Sequence, residues 1–477
     1  MTRRRILVGA CLLAACGRSP DKPSVPIADV AAAARAAPPS SVVRLARGGG
    51  RAVAHAVPSL EQLDWRTEAP VPALDTLIGA DFERHVILAL DRKRNLIALD
   101  LDERRARTLA PQVREAAVGP DGTVYAVDSG RAVLQISRRT TTRFPGRLTA
   151  MPTSLAAAAG GTAVAVEKGR IAVVGSDATR RVAVPPGPVA ATFWGDLVAV
   201  GSDSGIVLLD PQSRRQPAKV PGTAGTLSLL FSPSGHRLYA AGRGHELLVI
   251  DRFGHTVLRR IQLPGTASAL RIDFFGNWLL ARAAGTDDVW VIDLDAERVT
   301  GTLHTAWAAD LPVVAAPRTV IARQEHDIVA RDLASPSLPE TGRVKGGAGD
   351  VWVAVTWAPP AAAAVAEATA DTARVVTPPA PAAVRDSSGA PADTAAAPAE
   401  AVLYLQVSSS RNPEWAEDLA GKLRAAGLQP TVLKPAQAEE SYRVVLGPFR
   451  TRDAAEETGR RLGMPSFVIT AQGDSGR

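Results

Sequence analysis

The side chains best suited to binding chemistry lie near the end of the 477-residue chain. Tyr404, Gln406 and Ser408 occupy alternate positions of one β-rich run, and Arg443 lies in another. Residues at alternate positions of a strand share one face of the sheet. Amide and guanidinium groups bond sugar hydroxyls, and an aromatic ring can support the apolar side of a pyranose. These residues therefore predict either a carbohydrate-binding surface or simply the solvated face of a small sheet.

The elements that must position these side chains form a small α+β unit. Trp415, Leu419 and Leu423 recur every four residues, which predicts a helix that begins at Asn412 or Pro413 and is stopped by Gly427. Alternating runs predict strands at 401–408, 431–433, 442–446 and 466–470, with a second helix at 452–462. The order βαββαβ predicts a sheet with both helices on one face and the other face open to solvent. The alternation turns Leu403, Leu405, Val407, Tyr442, Val444 and Leu446 towards the helices.

The same stretch resembles a SPOR domain, the module with which bacterial envelope and division proteins bind peptidoglycan. The resemblance is carried by residues 404–407 (Tyr-Leu-Gln-Val), 423–427 (Leu-Arg-Ala-Ala-Gly), 442–449 (Tyr-Arg-Val-Val-Leu-Gly-Pro-Phe) and 454–455 (Ala-Ala). It implies binding to glycan strands stripped of stem peptides, which accumulate at division septa. The glycan-binding residues that it implies are Tyr404, Gln406, Ser408, Ser409, Tyr442 and Arg443.

A long central region repeats with a period near 40 residues. Glycines fall in similar turns at positions 122, 161, 195, 235 and 276, and each turn precedes an alternating strand. Such a period predicts an all-β propeller, and the Pro-Asp-Gly and Pro-Ser-Gly turns resemble those of WD40-like and YVTN-type propellers. Counting the second strands predicts about seven blades, with six or eight as alternatives. Residues 351–357 are predicted to close the ring, with a strand from residues 60–72 as the expected partner.

No catalytic or metal-binding pattern stands out in this central region. The seven histidines lack ligand spacing, and residues 201–205 (Gly-Ser-Asp-Ser-Gly) fit a hairpin turn better than a nucleophile elbow. Aspartates at strand ends are expected to cap turns with their side chains. We therefore expect no catalytic residue, no metal, no cofactor and no enzymatic activity.

The first residues predict export and lipid attachment. Three arginines precede the apolar run 6–15, which is too short to span a bilayer. The run ends Leu-Ala-Ala-Cys at Cys16 and resembles the bacterial lipobox, in which the cysteine thiol after the cleavage point receives diacylglycerol. Residue 17 is Gly, not Asp, so the default expectation is the periplasmic side of the outer membrane. The only other cysteine, Cys11, leaves with the signal peptide, so no disulfide is expected.

Composition completes the domain map. The net charge of +7 arises mainly in the first 59 residues, so it does not predict nucleic-acid binding. An Ala/Pro-rich stretch before residue 401 cannot bury a core and reads as a linker. The predicted domains are a signal peptide (1–15), a flexible tether (16–59), the propeller (60–357), the linker (358–400) and the SPOR module (401–477).

Two functions are compatible with this organisation. The first is a lipid-anchored envelope protein that binds peptidoglycan glycan strands, with the propeller as a scaffold for an unknown envelope protein. The second is an envelope hydrolase or lactonase-like propeller enzyme that the SPOR module delivers to the wall. Polar side chains converging in the central channel of the propeller would favour the second.

Overall fold

The computed structural model describes residues 40–359, except 82–84, 120–121, 138–139 and eight single positions (159, 185, 194, 234, 236, 253, 275 and 317). Towards the C-terminus it describes 402–410, 413–425, 428–434, 442–451, 454–455, 458 and 467–471. Within these ranges the chain is built almost entirely from strands. No helix among the described residues is long and apolar enough to cross a membrane.

Residues 40–359 form eight antiparallel sheets of four strands each in the described part of the chain. The closing sheet combines β1 (Ser41–Leu45), β2 (Val53–Ala56) and β3 (Gln62–Arg66) with the last strand, β32 (Val351–Val355). The next three sheets contain β4 (Leu74–Asp81), β5 (Val86–Asp91), β6 (Leu96–Asp100) and β7 (Arg105–Ala110); β8 (Val113–Val118), β9 (Val124–Asp128), β10 (Val133–Ile136) and β11 (Thr141–Arg143); and β12 (Ser154–Ala158), β13 (Thr162–Glu167), β14 (Arg170–Val174) and β15 (Thr179–Ala183).

The remaining four sheets continue in chain order. They contain β16 (Val189–Ala191), β17 (Val198–Val200), β18 (Ile206–Leu209) and β19 (Ala218–Val220); β20 (Thr226–Phe231), β21 (Arg237–Gly242), β22 (Glu246–Asp251) and β23 (Thr256–Gln262); β24 (Ala267–Ile272), β25 (Trp278–Ala283), β26 (Asp288–Asp293) and β27 (Arg298–His304); and β28 (Val313–Ala316), β29 (Thr319–Gln324), β30 (Asp327–Asp332) and β31 (Glu340–Val344).

The sheets are arranged as the blades of a closed propeller. The first strand of each sheet lies beside the first strand of the next, from β4 through β8, β12, β16, β20 and β24 to β28. The series then closes, because β28 lies beside β32 and β32 lies beside β4. Eight inner strands therefore surround the central axis, and the predicted propeller is confirmed with eight blades, one of the alternatives to about seven.

The eighth blade explains the difference in blade number. It joins the two ends of the repeat region, because β1 pairs with β32 from Ser41 opposite Val355 to Leu45 opposite Val351. The prediction that residues 60–72 pair with the closing strand was wrong, since β3 lies at the outer edge of this sheet. The predicted tether 16–59 also extended too far, because residues 41–56 already contribute two strands to the ring.

Large apolar residues fill the spaces between blades. The interface of the closing sheet with the next blade buries Trp65 and Trp357, whose rings meet edge to face at 5.3 Å. Their indole nitrogens donate to neighbouring-blade groups, Trp65 to the Leu101 carbonyl at 3.0 Å and Trp357 to Asp102 at 2.9 Å. Buried indoles with a satisfied N–H stabilise an interface without leaving a polar group unpaired.

The predicted turns are confirmed in detail. The five repeat glycines all have left-handed φ values, between 67° and 77°, at positions 122, 161, 195, 235 and 276. Strand-end aspartates cap turns as expected: Asp100, Asp210 and Asp293 each accept two backbone N–H groups from residues two and three positions later. Local turn chemistry therefore sets the repeat.

Two faces of the propeller can be distinguished by their loops. One face carries the loops from first to second and from third to fourth strands. The propeller chain also begins and ends on that face, where Ser41 Oγ donates to the Trp357 carbonyl at 2.5 Å. We call it the terminal face. The distal face carries the loops from second to third strands and the connections to the next blade, as where Val113 N donates to Arg94 O at 2.7 Å.

The C-terminal unit has the predicted order of elements. Its sheet has the order β34-β35-β33-β36 and contains β33 (Val402–Ser410), β34 (Pro430–Leu433), β35 (Tyr442–Phe449) and β36 (Phe467–Ala471). Helix α1 (Pro413–Ala425) follows β33, and residues 454, 455 and 458 are helical in the second predicted helix. The strands β33 and β35, which carry the candidate site, are the two central strands.

Candidate functional site

One face of the C-terminal sheet is the packed core. Leu405 and Val407 of β33 are buried against Leu419 and Leu423 of α1, and Val444 and Leu446 of β35 join the same cluster. The inward alternation predicted for these residues is confirmed. Ala455 of the second helical segment is also fully buried in this cluster. Both helical segments therefore pack on one side of the sheet.

The opposite face centres on a hydrogen-bonded pair. Arg443 Nη1 donates to Gln406 Oε1 at 3.2 Å, although the two residues are 37 positions apart. The strand register places Gln406 beside Val445 and Arg443 beside Ser409, so the guanidinium reaches diagonally across two strands. The pair brings an amide and a guanidinium together on the two central strands, as predicted. Such a pair can offer hydrogen bonds to hydroxyl or carboxylate groups.

This face is less open than the sequence predicts. Gln406 is only 4% exposed and Val445 only 1%, and Leu433 of the neighbouring strand is also buried. The expectation that Gln406 is solvent-facing was therefore wrong. The Arg443 side chain lies against Gln406, so the amide is part of a packed polar layer and not a free surface group.

Tyr404 lies where the register of β33 with β35 shifts, between the pairs Leu403–Phe449 and Leu405–Leu446. A side chain at Gly447 would meet the Tyr404 ring at 3.1 Å and the Phe449 ring at 3.2 Å. The absence of a side chain at Gly447, where φ is +130°, thus leaves room for the tyrosine ring. Burial raises the pKa of the Tyr404 phenol, so at neutral pH the group is a neutral hydroxyl that can donate and accept.

A β-bulge in β33 changes the face of the sheet on which Ser408 lies. The register with β35 shifts between Gln406 and Ser408, and Ser408 lies opposite the core residue Val444. Residues that oppose each other in an antiparallel pair share a face, so Ser408 is on the helix side and not beside Gln406. The prediction of Ser408 on the Gln406 face was wrong because the bulge breaks strict alternation. Ser409 has the register position opposite Arg443; its side chain lies outside the described residues.

Tyr442 does not share the Arg443 face. It is half-buried and packs against the helix-side core, as the alternation predicts. Its side chain therefore lies on the face opposite to Arg443, and its contact with glycan stays a prediction. Tyr442 supports the site by packing against the helix-side core beneath the sheet.

One residue of this face was missed from the sequence. Thr431 of β34 is exposed and lies opposite Val445 in the register, on the face of Arg443. It adds a hydroxyl at the edge of the Gln406–Arg443 pair. The sequence pattern could have identified Thr431, because Val432 points to the core and its neighbours in the strand must point away from the core.

Among the described residues of the propeller, ionisable side chains form pairs such as Arg44–Asp350 and Arg323–Asp310 and not a metal-binding cluster. The described residues contain no group of three or more His, Cys, Asp or Glu side chains placed to hold a metal. His85 and His304 pair with Asp102 and Asp288, and the His55 ring bonds the Leu60 carbonyl. Cys16 lies outside the described residues, so its lipidation stays a prediction.

Comparisons with known proteins agree with the two architectures. The family model described as "SPOR domain" matches residues 399–470. The sequence matches no curated protein. A crystal structure of AztD from Citrobacter koseri is similar with a TM-score of 0.51 and 12% identity, covering 68% of this chain and 99% of that chain.

Two further solved structures are similar to the chain. Apo AztD from Citrobacter koseri has a TM-score of 0.49 at 13% identity, covering 66% of this chain and 98% of that one. Dihydro-heme d1 dehydrogenase NirN in complex with DHE has a TM-score of 0.46 at 16% identity, with 65% and 74% covered. At these identities the similarity to AztD concerns the propeller fold alone. Residues 399–470 are a SPOR domain, which implies that this propeller-bearing chain binds peptidoglycan in a bacterial cell envelope.

Proposed function

We propose that the protein is a lipid-anchored envelope protein whose SPOR domain binds glycan strands free of stem peptides. The SPOR match at residues 399–470 carries the proposal. Arg443 supports it, because a half-buried guanidinium that the buried Gln406 amide orients, on the sheet face away from the helices, can donate to the hydroxyl groups of a glycan. Tyr404 and Thr431 border the pair and complete the proposed site.

The propeller is proposed to act without catalysis, as a scaffold for another envelope protein. Capping by aspartate side chains accounts for the turns on its terminal face. Apolar packing accounts for the contacts between its blades. Attachment through Cys16 is proposed to hold the protein on the periplasmic side of the outer membrane, with a septal location expected from the glycan preference.

The glycan site is tested by co-sedimentation of the full chain with purified sacculi, before and after amidase removes stem peptides. Wild type should bind more strongly after amidase treatment. Arg443→Ala should weaken that binding at least about tenfold, because a charged donor commonly contributes about 1.5–3 kcal/mol to a hydrogen-bonded complex. Arg424→Ala is the matched control, since Arg424 is exposed on helix α1 at the other side of the sheet.

Gln406→Ala should also weaken binding, but with a lower melting temperature, since this amide is buried. Melts of each variant separate loss of binding from loss of fold. Equal binding by wild type and folded Arg443→Ala would reject the site. Absence of wild-type binding to amidase-treated sacculi would reject the glycan preference itself.

The lipid anchor is tested separately by detergent partitioning of the protein from whole envelopes. Wild type should enter the detergent phase, and Cys16→Ala should remain in the aqueous phase, because a diacylglyceryl group buries many methylenes at about 0.8 kcal/mol each. Cys11→Ala is the control, since that residue precedes the proposed cleavage point. Wild type found in the aqueous phase would exclude lipidation at Cys16.

A further inference from the structure

Two arginines occupy the same position in neighbouring blades of the propeller. Arg282 is the fifth residue of β25, and Arg323 is the fifth residue of β29. Two positions earlier, Leu280 and Ile321 each pack in the junction with the next blade. Residues two apart in a strand share a face, so both arginines lie towards the next blade, close to the distal face.

The guanidinium of Arg323 has a carboxylate partner. Its Nη2 donates to Asp310 at 2.6 Å, and its Nε donates to the Ala348 carbonyl at 2.8 Å. The backbone N–H of Trp352 also donates to the Asp310 carboxylate, at 2.9 Å. The side chains of Arg323 and Asp310 are only 13% and 8% exposed, so this junction holds a buried carboxylate beside its arginine.

Arg282 lacks the equivalent carboxylate. The inner-strand residues opposite Leu280 and Ile321 are Arg271 and Val313. Counting three residues back from each places Ser268 where the neighbouring blade has Asp310. In the part of the chain that the structure describes, the Arg282 side chain donates no hydrogen bond and forms no ion pair, although its Nε is buried.

A second arginine adds to the positive charge of this junction. Arg271 lies on the same face as Arg282, diagonally opposite on β24, and its guanidinium donates to backbone carbonyl oxygens of residues 308–312. Burial, which the Asp310 carboxylate opposes and the Arg323 guanidinium reinforces, lowers the pKa of Arg271 to about 10. The group therefore stays charged at neutral pH.

The other acids at the distal ends of these blades do not neutralise Arg282. They are Asp287 and Glu325, which are exposed in turns, and Asp288, Asp327 and Asp350, which pair with His304, Arg343 and Arg44. None of them forms an ion pair with Arg282 among the described residues. Arg271, Arg282 and Arg323 thus have one carboxylate between them, that of Asp310.

A water molecule could accept the free N–H group of Arg282, but it could not balance the charge. A partly buried charge without a counter-ion destabilises a fold, and a carboxylate is the group that best matches a guanidinium. The neighbouring junction shows that a carboxylate fits at this position. The Trp307 ring, 4.7 Å from the Arg271 guanidinium carbon, borders the place. Both Arg282 and Trp307 are partly exposed, so a solute can reach them.

We propose that the junction between the blades of β24–β27 and β28–β31 binds the carboxylate group of a small molecule, with Arg282 as its main partner. The bound carboxylate would take the place beside Arg282 that Asp310 takes beside Arg323. This site opens near the distal face of the propeller and shares no residue with the SPOR domain. The inference therefore does not depend on glycan binding or on the lipid anchor.

The test compares melting temperatures of the full chain at neutral pH in sodium acetate and in sodium chloride, each at about 100 mM. Wild type should melt about 2 °C higher in acetate, because a ligand that binds only the folded state stabilises it. Arg282→Gln should lose this difference. In chloride it should melt no lower than wild type, since it removes an unpaired charge. Arg298→Gln is the matched control, an exposed arginine on the outermost strand of the same blade, and should keep the acetate effect.

A second variant supplies the carboxylate from the chain itself. Ser268→Asp should raise the melting temperature in chloride and abolish the effect of acetate, because the new side chain would pair with Arg282. Ser268→Asn, of equal size but without charge, should keep the acetate effect. This comparison does not require that a chain without Arg282 folds.

Three results would overturn the proposal. Equal acetate effects in wild type and in folded Arg282→Gln would mean that acetate acts on the chain in general. No acetate effect in wild type would mean that water alone satisfies Arg282. If the part of the shift that depends on Arg282 were larger in sodium sulfate of equal ionic strength, the site would take oxyanions in general, and the preference for carboxylates would be wrong.

Discussion

Two glutamates of the propeller respond to their surroundings in opposite ways. Burial raises the pKa of the Glu115 carboxyl on inner strand β8, and the nearby Arg94 opposes that shift only in part. Hydrogen bonds from Arg343, at 2.6 and 2.7 Å, lower the pKa of Glu340 on outer strand β31, with burial opposing the shift. The charged form is therefore disfavoured at the first site and favoured at the second.

These shifts predict opposite pH dependences for two matched variants. A raised folded-state pKa stabilises the fold below the unfolded-state value, and this stability is lost as pH rises through the folded-state pKa. Glu115→Gln should therefore gain stability relative to wild type as pH rises from about 4 to 7. Glu340→Gln should lose stability relative to wild type over the same interval, because a lowered pKa stabilises above the unfolded-state value. Melting temperatures across this range measure both trends, and parallel trends for the two variants would contradict the assignment.

The residues of the glycan-binding face show what alternation can and cannot predict. Leu405, Val407, Val444 and Tyr442 point to the core as their positions require. Ser408 does not follow, because one bulge reverses the alternation after Gln406. The burial of Gln406 was also unpredictable, since it depends on a bond to Arg443 that is 37 positions away in the chain.

At the scale of elements, turns pack closely against strands of neighbouring blades. A side chain at Gly195 would lie 2.4 Å from Ala158 Cα and 2.7 Å from the Ala157 carbonyl, both in the preceding blade. Gly195 also has φ +67°, a conformation that L-residues rarely adopt. The glycine is therefore required by both the turn and the neighbouring strand.

Gly195→Ala should consequently lower the stability of the propeller by more than about 2 kcal/mol, since backbone atoms must move to admit a methyl group. Gly146→Ala is the control, because Gly146 has φ +79° but no atom within 4 Å of the added carbon. Gly146→Ala should lower the free energy of unfolding by only about 1 kcal/mol, which is the cost of placing an L-residue at this positive φ. Chemical denaturation of the two variants distinguishes these effects; equal losses would mean that the contact with Ala158 is easily relieved.

The repeating elements and the closure of the ring by residues 351–357 were predictable, but the pairing of β32 with β1 was not. Each repeat glycine indicates its own turn, and counting the second strands of the repeats predicts about seven blades. The eighth blade is divided between residues 41–66 and 351–355, and no local pattern joins segments about 300 residues apart. The first of these segments was also hidden by its Ala-, Arg- and Gly-rich neighbours, which suggested a tether.

At the scale of the whole molecule, the closing sheet sets the limits of the folded propeller. Limited proteolysis should release a resistant fragment that begins near residue 40 and ends near residue 358, because exposed backbone outside paired strands is cut first. Mass spectrometry gives both ends. A truncated chain beginning at residue 60 should be far more susceptible, since it lacks β1 and β2 and leaves β32 without its partner. A resistant fragment that begins near residue 60 would contradict this closure.

The distribution of charge over the two faces of the propeller also depends on the whole ring. The net charge of the propeller is close to zero, and taken alone it argues against nucleic-acid binding. The ring, however, brings cations from four successive blades to one half of the distal face. Such segregation depends on which loops share a face, and that follows from the closed topology.

The paired ends of β1 and β32 have a mechanical consequence. Ser41 lies opposite Val355, so the chain enters and leaves the ring at neighbouring points of one antiparallel pair. A pull on residue 40 against residue 358 would load the hydrogen bonds of this pair one after another, as a zipper opens, and not all together in shear. If membrane and wall held the two ends apart, the ring would therefore open at its closing blade under a small force and lengthen the link between them.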